Sequence, residues 1–461
     1  MSPGVKLAHF AAAVRWDDLP QVVRARTLDH IVDTVGLMCA GIDAKACVEA
    51  RRAAQAWGRG EESTVVGASA SSPAPTAAFL NALHGRITAY DDTYEPGTMH
   101  PGNSVIAASM ALAEKHAASG TTFLAAVLAG YEVATRVAAA VSPGHYAKGF
   151  HNTGTCTVFG AAAASARVLG MNGAETAETL GLAGATAAGL RQHQIDGSIF
   201  DSAFHGARAA QSGVMAAQLR AEGVQGPVGI LDGPMGFCTV MAPERDMTRL
   251  DAGLGETYEF LRMTLKPYPM AFFVHGPIET VLELKSAYEI DPRQIARVEI
   301  ATFKQSMEVC DRPRVQTQYH AIVSHQYGVA VALVKNKVDL ASFAGLALAD
   351  PSVMELVKKV HVIHDPALEN LFPGKCPHRV TIRLIDGREF SMLSEYPPGW
   401  QTPIPQQRVD TKFLEHCSAR LGERRAREAL MHIRGLQDCA DVRELTRILR
   451  PSATDAVESN F

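Results

Sequence analysis

The chain alternates between long stretches in which apolar residues recur every three or four positions and short polar islands that interrupt them. That spacing gathers apolar side chains on one face of a helix. It predicts helices over 27–40, 75–89, 104–118, 122–141 and 159–169, with Thr122 opening the run FLAAVLAGYEVATRVAAAV. The first residues, MSPGVKLAHFAAAVRWDDLP, read as an amphipathic helix; Lys6, His9 and Arg15 break the apolar run and argue against a signal peptide. Alanine and glycine dominate these helical faces, so helix axes can approach closely and a compact bundle is expected. Self-similarity at a fixed period is not evident, which argues against a solenoid.

The pattern changes after about residue 265. Residues 296–303 (ARVEIATF) alternate apolar and polar, as a strand does, and 360–364 read the same way. Residues 379–385 and 388–393 flank Asp386-Gly387, a favoured two-residue hairpin turn. Helical patterns at 324–334 and 352–359 lie between these strands. The proline-rich run 396–405 (YPPGWQTPIP) is a connector, because proline continues neither periodic element. Helical patterns then resume at 410–421, 424–433 and 442–449. The expected fold is mainly α with an inserted α+β part: a large helical domain formed by both chain ends (1–263 and 401–461) and a smaller α+β lid domain (264–400).

Composition narrows the function classes. The 461 residues can bury a sizeable core, and 47% apolar with 20% charged residues excludes wholesale disorder. A formal charge of −4 argues against a nucleic-acid partner, which needs a surplus of cations on one face. No stretch reaches the roughly 18 uninterrupted apolar residues of a membrane helix, so no membrane partner is expected. The eight cysteines are scattered without a CxxC pair, which fits a reducing, cytoplasmic setting and suggests neither disulfides, nor a zinc site, nor an iron–sulfur cluster. The histidines show no metal-ligand spacing either, so no metal is expected. Dinucleotide, Walker, HExxH and GxSxG motifs are absent.

Chemistry is expected at three polar islands. Tyr90-Asp91-Asp92-Thr93 precedes Met99-His100-Pro101-Gly102, where Pro101 suits a first helical turn and His100 stands just before it. Unsatisfied N–H groups at such a helix start favour a carboxylate. Lys148-Gly149-Phe150-His151-Asn152-Thr153-Gly154-Thr155 is a second histidine-led helix start, and Lys266-Pro267-Tyr268-Pro269 marks the junction of the helical and α+β parts. Each island also reads as an ordinary capped loop or hinge with a solvated side chain, and on these residues alone both readings stand.

In this order the islands resemble the motifs of the 2-methylcitrate dehydratase (MmgE/PrpD) family, which includes cis-aconitate decarboxylases and iminodisuccinate epimerases. Residues 90–93 and 100–102 are similar to its D-[FY]-[DN]-D-T…H-P-[GS] signature, and Phe150-His151 to the histidine opening a later helix. Residues 205–213 (HGARAAQSG) are similar to its H-x-G-R-A-A-Q-S-G segment, Lys266–Pro269 to its K-P-Y-P junction, and 324–333 to a helix carrying a site tyrosine, here Tyr327. The resemblance implies a helical domain, an inserted lid, a site between them, a homodimer, and no metal or organic cofactor. It implies proton chemistry at a carbon next to a carboxylate of a small polycarboxylate. On that basis His100 and His151 are the acid/base candidates, with Asp91 and Tyr327 as further catalytic candidates. Lys266 is a carboxylate clamp, Thr93 a donor, and Asp92, His205, Ser202 and Ala89 line the substrate.

Two positions depart from the family pattern. Ala89 stands where the signature has its first aspartate, and Ser202 where a lysine usually precedes the family histidine. Losing one carboxylate and one ammonium together keeps the site's charge roughly constant, which suggests retuning, and Asp91 or Asp201 could stand in for the missing acid. A hydro-lyase of the dehydratase type is the leading expectation. The alternatives are an epimerase or decarboxylase on a related dicarboxylate, and a catalytically inactive binding protein.

Overall fold

The computed structural model describes residues 1–451 apart from Ala70, Pro373 and Gln401. The fold is mainly α, and the described residues divide into two compact units. The first contains Met1–Ile195, Phe200–Leu265 and the C-terminal segment from Pro405; the second contains Asp196–Ile199 and Lys266–Ile404.

The first unit is a helical bundle. Its central helix, Gly120–Val141, is long and apolar enough to span a membrane, but it is buried within the unit and is the bundle's core. Inside it Glu132 pairs with Arg136 at 2.9 Å, and the guanidinium also donates to the carbonyls of Ala252 and Thr257. Burial is tolerable for this pair because both charges are neutralised and hydrogen-bonded. The small residues bring the axis of Thr157–Val168 close: a Cβ on Gly130 would lie 2.8 Å from the Gly160 carbonyl oxygen, and one on Gly160 2.6 Å from that of Gly130. Both chain ends meet here. Helix Gln21–Gly41 packs on Gln406–Leu421, with buried Lys412 against Asp33 at 2.7 Å, and on Glu423–Arg434, with Arg434 against Asp29 at 2.7 Å.

Two departures from the sequence pattern concern strands. The first unit contains a two-residue antiparallel pair, Ser63–Thr64 with Ser71–Ser72, too short to leave a periodic signature. The second unit holds a four-stranded sheet of Ile295–Thr302, Val360–His364, His378–Leu384 and Glu389–Ser394. Val298 pairs in parallel with Val360 on one side and antiparallel with Ile382 on the other. Helices Phe272–Tyr288 and His325–Lys335 pack against the sheet. The Asp386-Gly387 hairpin forms, but its loop is one residue longer than expected. Leu384 N donates to Arg388 O and Gly387 N to Leu384 O, so 385–387 form the turn, with Gly387 at φ +90°. A three-residue loop closed by a left-handed glycine is the common alternative to the two-residue turn.

Candidate active site

The loop 88–101 of the first unit is held by two adjacent aspartates that face different partners. Asp92 is fully buried: its carboxylate accepts from Tyr131 Oη at 2.6 Å, His30 Nδ1 at 2.9 Å and Gly102 N at 3.0 Å. The last of these caps helix Gly102–Lys115 at its positive end. Burial, and then the Asp92 carboxylate, push the Tyr131 hydroxyl far above its usual pKa, so it stays a donor. Asp92 was expected to line the substrate. Here its carboxylate accepts three hydrogen bonds from the fold around the loop.

Asp91 is also buried and accepts from Arg86 Nη1 at 3.0 Å and Asn103 Nδ2 at 2.9 Å. Helix Ala74–Ile87 delivers Arg86 in its last turn, close against Gly102–Lys115; a Cβ on Gly85 would sit 1.9 Å from Asn103 Oδ1. Arg86 Nη2 donates to Ser202 Oγ at 3.0 Å, and its Nε is buried with no partner among the described residues. A buried guanidinium with one unused donor is suited to a carboxylate. Asp91, a catalytic candidate in the sequence, holds this arginine through its Nη1. Arg86 itself was missed, because a single arginine on an amphipathic helix reads as its solvated face.

Ala89 lies between these groups at φ +52°, a left-handed conformation, and is buried. His100 is half-buried. Its Nδ1 lies 2.7 Å from the Asp92 carbonyl oxygen and 3.3 Å from Thr93 Oγ1. A carbonyl only accepts, so Nδ1 carries a proton, and in the neutral ring Nε2 holds the lone pair. The His100 backbone N–H donates to Thr153 Oγ1 at 3.1 Å, tying the first histidine-led helix start to the second.

His151 precedes the short helix Asn152–Thr155, with its backbone N–H held by Gly189 O at 3.0 Å. Its Nδ1 faces His205 Nδ1 at 2.8 Å. Helix Ile199–Ala221 supplies both Ser202 and His205, and Asp201 Oδ2 lies 3.8 Å from His205 Nε2. A third imidazole, His193, completes the group: one ring nitrogen from each of His151, His193 and His205 lies within 4.8 Å of the others. Burial, followed by the neighbouring imidazoles, holds the His151 pKa well below its usual value. Burial lowers His193 to about 4, and lowers His205 against the opposing pull of Asp201. All three are therefore neutral at pH 7. No metal is expected from the spacing of the histidines in sequence, and these three converge all the same. Positions 151, 193 and 205 carry no spacing signal, and only the fold brings them together.

The remaining expected residues belong to the second unit. Lys266 is buried at its first position after the junction. Tyr327 is fully buried, and its hydroxyl donates towards Ser342 O at 2.6 Å and Ala347 O at 3.2 Å within that unit. Burial raises its pKa to about 12.

Known proteins match this chain along nearly its whole length. The MmgE/PrpD N-terminal domain matches residues 5–250 and the MmgE/PrpD C-terminal domain residues 268–437. A cis-aconitate decarboxylase of Aspergillus terreus (strain NIH 2624 / FGSC A1156) is 26% identical over 478 residues, covering 96% of this chain and 95% of that protein. A cis-aconitate decarboxylase of Mus musculus is 26% identical over 455 residues, 93% of this chain and 90% of its own. A 2-methylcitrate dehydratase of Cupriavidus necator is 28% identical over 156 residues, 31% of this chain and 32% of its own.

Proposed function

Because the chain belongs to the MmgE/PrpD family through both of its domains, we propose that it is a lyase acting on a small di- or tricarboxylate at a carbon next to a carboxylate. The observation that carries this reading is His100, whose Nδ1 is fixed on the Asp92 carbonyl so that Nε2 is the proton-transferring nitrogen. Arg86 supplies the cation for a substrate carboxylate.

Loss of carbon dioxide is the first reaction to test, since cis-aconitate decarboxylases align over more than nine-tenths of the chain. The C–C bond to the leaving carboxylate breaks, its electron pair stays on carbon, and the proton that replaces carbon dioxide comes from an imidazolium. Loss of water is the second, supported by the dehydratase that aligns over about a third of the chain. There the imidazole takes the proton from carbon, the electron pair forms the double bond, and hydroxide leaves protonated as water. In both, negative charge develops beside a carboxylate, where a preorganised cation stabilises it and a positioned base moves the proton.

The test is an NMR screen of di- and tricarboxylates in D₂O. Decarboxylation places one deuterium on carbon with loss of a carboxylate, and dehydration forms an alkene with the carbon skeleton intact. Deuterium incorporation with inversion and no loss of atoms would replace this reading by an epimerase. Binding without turnover of any member would replace it by an inactive binding protein.

A further inference from the structure

We propose that His151, His193 and His205 form a three-imidazole site for a first-row divalent metal ion, zinc foremost, with one coordination position left open. The three rings are neither stacked nor parallel: their centroids lie 4.7, 5.1 and 5.4 Å apart with interplanar angles of 56°, 54° and 78°. Three imidazoles around one tetrahedral zinc, with Zn–N near about 2.0–2.1 Å, place coordinating nitrogens roughly 3.4 Å apart and ring centres roughly 5 Å apart. The nitrogens here already lie within 4.8 Å of one another, and two of them at 2.8 Å.

The surrounding groups favour, at two of the three imidazoles, the tautomers that ligation needs. His193 Nδ1 lies 3.0 Å from the Leu190 carbonyl oxygen, so it carries the proton and the lone pair is on Nε2. Asp201 stands near His205 Nε2, which favours the proton there and the lone pair on Nδ1, the nitrogen that faces His151. A carbonyl behind His193 and a carboxylate near His205 match the usual orienting shell of a ligating histidine. Two nitrogen lone pairs 2.8 Å apart repel unless a proton or a cation lies between them. Arg86 adds positive potential that acts against a cation here, and Asp91 at 3.0 Å offsets part of it. Imidazole ligands select zinc, iron, cobalt, nickel or copper over magnesium and calcium. Three protein ligands with an open position are the arrangement of catalytic zinc, not of structural zinc. A substrate carboxylate oxygen suits that position, and only this last step rests on the lyase reading.

The site departs from the cofactor-free chemistry that the family resemblance implies, and it is measured without substrate. The full-length chain is stripped with a chelator and titrated with Co²⁺, then with Zn²⁺. The expected result is a low-symmetry visible cobalt spectrum that saturates at one equivalent and is displaced by Zn²⁺. His193→Asn and His205→Asn should each weaken Co²⁺ binding by more than roughly a hundredfold. Asp201→Asn should weaken it roughly tenfold, within the usual worth of an orienting partner. The exposed His361→Asn should leave it unchanged. Two results overturn the proposal: a wild-type spectrum that stays that of the aqueous ion, leaving His151 and His205 simply to share a proton, or binding that survives both histidine variants. If a variant fails to fold, the cobalt-bound wild type decides alone, because paramagnetically shifted imidazole protons from three histidines appear only if three ligate.

Discussion

Arg86 reaches Ser202: its Nη2 donates to the serine hydroxyl at 3.0 Å, where the family pattern sets a lysine. A guanidinium from helix Ala74–Ile87 thus stands beside this position of Ile199–Ala221, and Asp91 holds it there. Restoring the lysine alone would put an ammonium beside a guanidinium. Ser202→Lys is expected to destabilise the protein, and Arg86→Gln in the same chain to relieve it. The double-mutant cycle should give a favourable coupling of about 0.5–3 kcal/mol in urea unfolding. Additive effects would mean that the two side chains do not share a site.

Asp92 satisfies three buried donors at once. Each buried donor left unpaired costs about 1–3 kcal/mol. Asp92→Ala should thus lose several kcal/mol of unfolding free energy. A substrate-lining aspartate would behave differently, with stability kept and KM changed, so chemical denaturation beside steady-state kinetics separates the two roles.

Ala89 is held left-handed at φ +52°, a conformation that costs an L-residue about 1–2 kcal/mol. Glycine removes that penalty but gives back part of it as chain entropy. Ala89→Gly is therefore expected to be neutral to stabilising by up to about 1 kcal/mol. Ala163→Gly, in the middle of helix Thr157–Val168, should cost about 1 kcal/mol instead. A loss of equal size at both positions would show that the strain at Ala89 is not relieved by glycine.

How much of this was legible follows from how local each signal is. The helical bundle could be read because a 3.6-residue period is complete within one segment, and helices 120–141 and 157–168 sit within two residues of the pattern. Strand positions in the second unit were legible too, but not the order that places 295–302 between a parallel and an antiparallel neighbour, since pairing is non-local. At the site, His100 announced itself as a helix start. Asp91 and Asp92 could not be told apart, because adjacent identical residues carry no record of which turns to Arg86 and which to Tyr131. Arg86 and His193 were invisible for the same reason as the strand order: their partners come from distant segments.

The histidine cluster predicts a dependence of stability on pH. Folding lowers the pKa of His193 to about 4 from an unfolded value near 6.5. Between those values the unfolded chain binds the proton and the folded one does not, so protonation favours unfolding. The stability this imidazole contributes is present above about 6.5 and is lost as pH falls towards 4. His151 and His205, lowered in the same direction, add to the trend. In metal-free protein, His193→Asn should show a shallower fall of Tm across that window and match the wild type's slope above pH 7. Identical slopes would mean that His193 is protonated in the folded state.

The last prediction concerns the proton itself. If Nε2 of His100 transfers it, His100→Ala should lower kcat by roughly 10²–10⁴ on a true substrate, the usual worth of a positioned acid or base. Solvent deuterium should fail to reach the reacting carbon in the same proportion. Thr93 shares the Nδ1 proton only at 3.3 Å, whereas the Asp92 carbonyl holds it at 2.7 Å. Thr93→Val therefore keeps the tautomer and should cost kcat less than about tenfold if that hydroxyl merely assists. A larger loss in Thr93→Val would give the hydroxyl a direct part in binding or chemistry. Near-normal turnover in His100→Ala, with the protein folded by circular dichroism, would move the proton transfer away from this helix start altogether.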